Sequence, residues 1–386
     1  MHVVRVRHLF YPDMPKDYFY ELSVRQVMKG YDVDVITWAK NGKSCVKRVS
    51  EGFFIRRLHG LNFSLGDAVQ EYPYLPNLSR EVELLKPDVV HAESHLFLPS
   101  FQAIKKARRL GLPCVVSVHG VFADRGFGVN FAQRLYLRSL GLSVFKSANR
   151  VICLTLSDAK EVVRLGCPSE KVRLVPNAVD TELFKPCKEC EEDNLVVWVG
   201  RFVPEKGLNY LIEAAKIIVD DFKFKNVRFL LVGYGPWKKK IMKLAYDYRL
   251  AGKFIRFTEA LGRDEVAKVL GKATIFVFPS LREGLPLSVL EAMACGVPVV
   301  GSDVPGINDV IVNGKNGLLV PARDPKALAK AVLTLLNDED LGRELGQNDR
   351  KLVMEKYNWD VVVNEIEKVY HEAIKEVWQQ RNIKLS

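Results

Sequence analysis

Short β-branched runs alternate with amphipathic stretches along the whole chain. The opening Met1-His2-Val3-Val4-Arg5-Val6-Arg7 alternates and is broken by arginines, so it reads as a first strand and not as an export signal. Val33–Thr37, Val89–His91, Cys114–His119 and Val151–Thr155 read as further strands. Between them, Phe19–Lys29, Phe101–Leu110 and Phe131–Phe145 carry helical periodicity. This order predicts a parallel sheet covered by helices on both faces. Periodicity then stops over Asn177–Asn194, a stretch rich in Pro, Cys, Lys and Glu. It restarts with strands at Leu195–Val199, Val227–Val232, Ile255–Phe257, Thr274–Pro279 and Val297–Gly301, interleaved with helices at Leu208–Val219, Pro236–Tyr248, Arg263–Leu270 and Pro286–Cys295. The tail from Pro325 onward is helical, interrupted near Asn358-Trp359. No short-period repeat or low-complexity tract appears.

A chain of 386 residues is more than twice a typical domain. The expected fold class is α/β: two doubly wound Rossmann-like domains facing a cleft. Residues 1–180 form the first, 181–193 a linker and 194–358 the second, with a last helix over 359–386. Open sheets of this kind bind ligands at the carboxyl ends of their strands, so the loops after the strands must carry the chemistry.

Composition narrows this picture only slightly. No apolar run is long enough to span a bilayer, and the expected location is the cytoplasm. Seven cysteines, an odd number mostly in apolar stretches, argue against a disulfide framework. Cys187 and Cys190 read as an incidental pair in the linker. His91 and His95 lack the further ligands a metal site needs. The net charge of +11 is uneven: residues 1–186 hold 27 Lys and Arg against 18 Asp and Glu, leaving +9 there and +2 in the rest. A basic first domain suits an anionic partner such as phospholipid, or serves solubility alone. The segment Phe131–Arg150, with Arg134, Arg138, Lys146 and Arg150 among apolar residues, reads as a domain helix with a basic outer face or as an interfacial helix for an anionic membrane.

The richest stretch runs from Pro279 to Val300. A strand ends at Ser280, and a loop carries Glu283 and Gly284. Pro286 suits the first helical position and Gly296 the position just past the helix end. The helix N-terminus then offers free N–H groups to a phosphate. Glu283 and Glu291 would repel a diphosphate unless they point away from it and accept hydrogen bonds from hydroxyls, one on a transferred sugar and one on a ribose. The competing reading is a solvated Glu283 and a helix-surface Glu291.

Glu283-Gly-Leu-Pro-Leu-Ser-Val-Leu-Glu291-Ala-Met-Ala-Cys-Gly-Val-Pro-Val-Val resembles the E-x(7)-E signature of glycosyltransferase family 4, the glycosyl transferases group 1, whose fold is GT-B. Val199-Gly200-Arg201-Phe202-Val203-Pro204-Glu205-Lys206-Gly207 is similar to the family's G-R-x-x-x-x-K-G loop. Val175–Asp180 looks like its V-P-N-G-V-D segment, and Val232-Gly233-Tyr234-Gly235-Pro236 looks like its V-G-x-G-P turn. Ser117-Val118-His119-Gly120 and Asp88–His91 resemble its N-domain strand ends. The resemblance covers nearly the whole chain.

The resemblance implies transfer of a sugar, with retention, from a nucleotide-diphosphate sugar to a carbohydrate or lipid-linked acceptor hydroxyl. It implies no cofactor, no metal and no nucleic acid. It assigns Arg201 and Lys206 to the donor diphosphate, where Arg offers a planar fork and Lys a point charge. Gly200, Gly233, Gly284, Leu285, Leu287, Glu283 and Glu291 join them in donor binding. His119 would touch sugar or acceptor. Glu283, His119, Arg201 and Lys206 form the expected catalytic set, and the last helix, Asp360–Gln380, would cross back onto the first domain. One departure stands out. The family's Gly-Gly pair in the first βα loop is replaced by Met14-Pro15-Lys16-Asp17, where Lys16 either supplies a side-chain charge on the acceptor side in place of backbone amides or stands solvated.

Four other classes fit less well, among them a nonenzymatic nucleotide-sugar or polysaccharide binder, against which the full set of charged site residues argues. A glycoside hydrolase with two catalytic glutamates has no need of the Arg/Lys loop. A nucleotide-sugar epimerase shares the fold but lacks the signature. A dinucleotide oxidoreductase needs a G-x-G-x-x-G after the first strand, which is absent.

Overall fold

A computed structural model describes residues 1–10, 18–40, 42–63, 72–121, 135–187 and 192–385. The chain divides into two compact units, Met1–Pro176 with Val362–Ser386, and Asn177–Val361.

In the first unit, β1 (His2–Val6), β2 (Asp32–Trp38), β3 (Cys45–Ser50) and β4 (Phe53–Leu58) are followed by a small antiparallel pair, β5 (Leu61–Asn62) and β6 (Pro73–Tyr74). Then come β7 (Val89–Glu93), β8 (Cys114–Val118), β9 (Arg150–Cys153) and β10 (Val172–Leu174). They form an eight-stranded sheet in the order β10-β9-β8-β7-β1-β2-β4-β3, parallel except for β3 against β4. Buried runs such as Val3–Val6 and Val33–Thr37, apolar apart from Arg5, Asp34 and Thr37, give strands covered on both faces. β3 is exposed over almost its whole length, and it and β10 lie at the two edges. Neither has the apolar continuity that marks a strand in sequence.

The basic segment is part of this core. Its described portion is a π-helical turn, Leu137–Gly141, running into a helix at Leu142–Ser147. Leu137, Val144 and Phe145 are buried in the hydrophobic cluster against Ala103, Ile104 and Ala107. Leu135 stays exposed, but the burial of these residues favours the domain-helix reading over the interfacial one for that portion. Arg150 points to Glu372 (2.8 Å) and also pairs with Glu376, so it is no part of an outward basic face.

In the second unit, β11 (Leu195–Val199), β12 (Arg228–Val232), β13 (Ile255–Thr258), β14 (Ile275–Phe278), β15 (Val299–Ser302) and β16 (Leu318–Val320) form an all-parallel sheet ordered β13-β12-β11-β14-β15-β16. Counted within the unit this is 3-2-1-4-5-6, the dinucleotide-fold order, whose crevice opens where the winding reverses, between β11 and β14. The stretch expected to be a linker is built into this unit over its described residues. Phe184 is fully buried, and Arg350 Nη1 donates to Phe184 O (2.9 Å) and Ala294 O (2.7 Å). Residues 188–191 lie outside the described set. Cys187, read as one of an incidental pair, is disulfide-bonded, whereas Cys45, Cys114, Cys153, Cys167 and Cys295 are free.

The helical tail runs as Pro325–Asn337, Glu339–Lys356 and Trp359–Leu385. Asp324 and Asp338 cap the first two, each accepting a hydrogen bond from a backbone N–H three residues on. From Val362 onward the last helix belongs to the first unit, where Tyr370 is fully buried. Glu372 bridges Arg150 and Arg173 at 2.8 Å, and Glu376 accepts from Asn149 at 2.9 Å. No helix among the described residues is long and apolar enough to cross a membrane.

Candidate functional site

In the second unit, three loops at the carboxyl edge of the sheet are stitched into one surface. The loop after β11 runs through Gly200 and Arg201 into a 3-10 turn at Pro204–Lys206. Gly200 N donates to Val232 O (3.0 Å) and Phe202 N to Tyr234 O (2.7 Å), fixing it to the loop after β12. Gly233 stands at φ +146°, and a Cβ there would fall 1.8 Å from Gly200 O, so only glycine permits this approach. Gly207, at φ +62°, ends the 3-10 turn, and a Cβ on it would sit 2.1 Å from Pro279 O. Leu281 N donates to Glu205 O (2.7 Å), tying the turn to the loop after β14.

These contacts bring Lys206 and Glu283 together. Lys206 Nζ lies 2.5 Å from Glu283 Oε1, with both side chains mostly buried, and 4.9 Å from the Phe278 ring centroid. Arg201 is exposed, with no polar partner recorded among the described residues. Beside them begins the helix Leu287–Ala294, uncapped by any side chain, so its first N–H groups remain open. Pro286 precedes the first helical residue by one, a shift from the expected position, and Leu287 takes that place. Gly284 leads into Leu285, which is buried and whose carbonyl accepts from Asn177 Nδ2 (2.9 Å). Gly296 adopts φ +72° just past the helix end, as expected.

Glu291 lies inside that helix and is half-buried. Burial pushes its carboxyl up to about 7, against the opposing pull of Arg263. Its environment thus differs from that of the lysine-paired Glu283. Lys238 was not singled out in sequence. Its Nζ donates to Gly233 O (3.1 Å), Thr258 O (2.9 Å) and Glu259 (2.6 Å), clamping the glycine turn to the end of β13. One lysine among Lys238, Lys239 and Lys240 carries no sequence signal for that role.

In the first unit, His119 follows β8 by one residue and is a quarter exposed, whereas Lys16 lies outside the described residues. His119 Nε2 is 3.0 Å from Glu93 Oε2. Glu93, at the end of β7, is buried, and Arg5 Nε, one residue before the end of β1, donates to its other oxygen at 3.0 Å. Arg5 is fully buried and also donates to Ser23 Oγ (2.5 Å) and Gln26 Oε1 (2.8 Å). His91 is held between Tyr370 and Ser117, each at 2.7 Å, so its two ring nitrogens are engaged and neither is left for a metal. Burial pushes His91 down to about 4, leaving it neutral near pH 7. Burial alone would raise the Glu93 carboxyl, but the surrounding His91, His119 and Arg5 outweigh it and hold the group well below its ordinary range. A small pocket is lined by Tyr18, Leu22, His91, Glu93, Ser117 and His119, among others. Sequence reading reached His91 and His119 but missed Arg5 and Glu93. The available signal was an arginine inside an otherwise apolar strand and a glutamate two residues after a strand-end histidine.

Two Rossmann-type units, with an open helix N-terminus and an Arg/Lys loop at the switch point of the second, define the GT-B class of glycosyltransferases. The match is borne out over the chain: residues 179–352 match the model for glycosyl transferases group 1, and residues 17–183 that for glycosyltransferase family 4. The chain belongs to this family. An uncharacterized glycosyltransferase of Methanocaldococcus jannaschii is 37% identical over 74% of this chain and 75% of its own length. A UDP-Gal:alpha-D-GlcNAc-diphosphoundecaprenol alpha-1,3-galactosyltransferase of Escherichia coli is 28% identical over 80% of this chain and 86% of its own. Among solved structures, sucrose-phosphate synthase of Thermosynechococcus elongatus superposes with a TM-score of 0.81 at 21% identity, covering 97% of this chain and 99% of that one. Anabaena HepE, solved with UDP-glucose, gives 0.74 at 15% identity over 96% and 98%. At these identities the structural likeness speaks for the fold.

Proposed function

We propose that this glycosyltransferase moves a sugar from a nucleotide-diphosphate sugar to an acceptor hydroxyl with retention at the anomeric carbon. The observation that carries the reading is the Lys206–Glu283 pair beside the exposed Arg201 and the open N-terminus of Leu287–Ala294. Cationic side chains and backbone N–H groups at one point suit a departing diphosphate, a preorganised electrostatic role. Gly200 and Gly233 let the backbone approach it closely. Glu283, already mostly buried, is placed to accept from a hydroxyl of the transferred sugar, and Glu291, deeper in the helix, from the ribose. The acceptor hydroxyl attacks on the face the diphosphate leaves, through an oxocarbenium-like state. His119 contacts sugar or acceptor. The Escherichia coli relative, named for a lipid-linked diphosphate acceptor, favours a glycan or lipid-linked glycan as acceptor class.

Neutralisation by Arg201 and Lys206 makes the proposed reaction metal-independent. Two measurements test the whole reading. Nucleoside diphosphates screened by thermal shift should include at least one that stabilises the protein by about 2.7 kcal/mol at 100 times its Kd. With the matching donor, acceptor-dependent nucleotide release should persist in excess EDTA, and the product should keep the donor's anomeric configuration by NMR. Loss of turnover in EDTA, restored by magnesium or manganese, would remove the proposed phosphate site. An inverted product would remove retention.

A further inference from the structure

We propose that Glu93 is a positioning residue for His119, with Arg5 as its counter-ion. It fixes the tautomer in which Nε2 carries the proton and Nδ1 accepts a hydrogen bond from a substrate hydroxyl. The kinetic part of this rests on the reaction proposed above; the tautomer does not.

Three observations carry it. First, the carboxylate is ionised and buried, so its oxygens act only as acceptors. One takes the Arg5 N–H at 3.0 Å and the other lies 3.0 Å from His119 Nε2, which must therefore be the donor. Second, His119 is the one member of this set with solvent access. Arg5, Glu93 and His91 are closed off, while His119 is a quarter exposed. No described residue engages its Nδ1. Its ring is braced edge-on by Phe19, with centroids 5.0 Å apart, and the Arg7 guanidinium lies 3.7 Å over that same phenyl ring. Third, the arrangement is costly as mere scaffolding. A buried ion pair repays its desolvation poorly compared with apolar packing, yet here it links two interior strands of the sheet, β1 and β7. Fixing a histidine tautomer through the partner of its other nitrogen is a use that apolar side chains cannot supply.

The test is Glu93→Gln in the full chain. The new amide has one acceptor oxygen, which Arg5 claims, and presents its N–H to His119 Nε2. That nitrogen must then become the acceptor, and the proton moves to Nδ1. Histidine-selective 15N NMR near neutral pH, with His119 assigned by its loss in His119→Asn, should show Nε2 protonated in the native chain and Nδ1 protonated in E93Q. With donor and acceptor supplied, kcat should fall at least tenfold while the donor KM stays within twofold, since a wrong tautomer harms the reacting complex more than donor binding. The same tautomer in both proteins overturns the proposal, as does a switched tautomer with unchanged kcat. If E93Q does not fold, the native chain alone decides: the His119 Nε2 proton must be slow to exchange, and a freely exchanging proton or a protonated Nδ1 overturns the assignment. Absence of transferase activity in the native chain would sink the proposed function and leave the tautomer measurement standing.

Discussion

Replacing Glu291 by glutamine should make the protein more stable at alkaline pH while weakening its hold on the donor. The carboxyl is raised from its ordinary value of 4.5 to about 7 because burial opposes its charge, with Arg263 compensating only in part. A carboxyl raised in the folded state binds its proton more tightly there than in the unfolded chain. Its stabilising contribution is therefore complete below about pH 4.5 and is lost as pH rises through 7. The distance from 4.5 to about 7, at 1.36 kcal/mol for each tenfold, comes to roughly 3 kcal/mol of stability lost by pH 8. The side chain keeps some exposure, so this is an upper bound. Glutamine mimics the protonated acid and loses nothing. Urea unfolding of both proteins at pH 4 and pH 8 should find them alike at pH 4 and the variant ahead by up to about 3 kcal/mol at pH 8. At the same time the donor KM should rise about tenfold with kcat nearly unchanged, because a ribose contact is worth much the same in ground and transition states. A stability difference independent of pH would refute the burial argument. Abolished turnover with donor binding intact would refute the ribose assignment.

Glu283→Gln should have the opposite kinetic signature: kcat lowered on the order of tenfold to a hundredfold with nucleoside diphosphate affinity retained, since the change removes a charge-assisted contact to the reacting sugar and releases Lys206. Steady-state kinetics with calorimetric titration of the diphosphate separates the two, and lost diphosphate binding with kcat intact would reverse the roles of the glutamates. Asp349, fully buried, has one oxygen 3.1 Å from Asn316 Nδ2 and the other unpartnered; burial raises its carboxyl well above the ordinary value. Asp349→Asn should thus leave the melting temperature near that of the native chain at pH 4 and raise it increasingly at higher pH, whereas a lowered melting temperature at pH 8 would show the carboxylate to be stabilising.

Much of the second unit was legible because its signals are local. The β-branched runs over 195–199 and 255–257 became β11 and β13 within a residue. The glutamates, the Arg/Lys loop and the glycines stand close in sequence to the strand ends that place them. Helix punctuation in the tail was legible in part: its start at Pro325 and the Asn358-Trp359 break fall at observed boundaries, whereas the break at Asp338 was not read. The edge strands of the first sheet were not legible, because β3 and β10 have little apolar surface to hide and so no pattern to declare.

Tertiary structure alone decided the partnerships. Lys206 reaches Glu283 across 77 positions only because β11 and β14, far apart in the chain, are neighbours in the sheet. Arg5 meets Glu93 across 88 positions for the same reason on β1 and β7. Local sequence specifies which residues stand at a strand's end, since side-chain alternation is a property of the strand itself. Which strand ends share an edge is a property of the sheet order. The shift of Glu291, the ionisation of Glu93 and the posture of His119 all arise there, from burial and from neighbours contributed by distant segments.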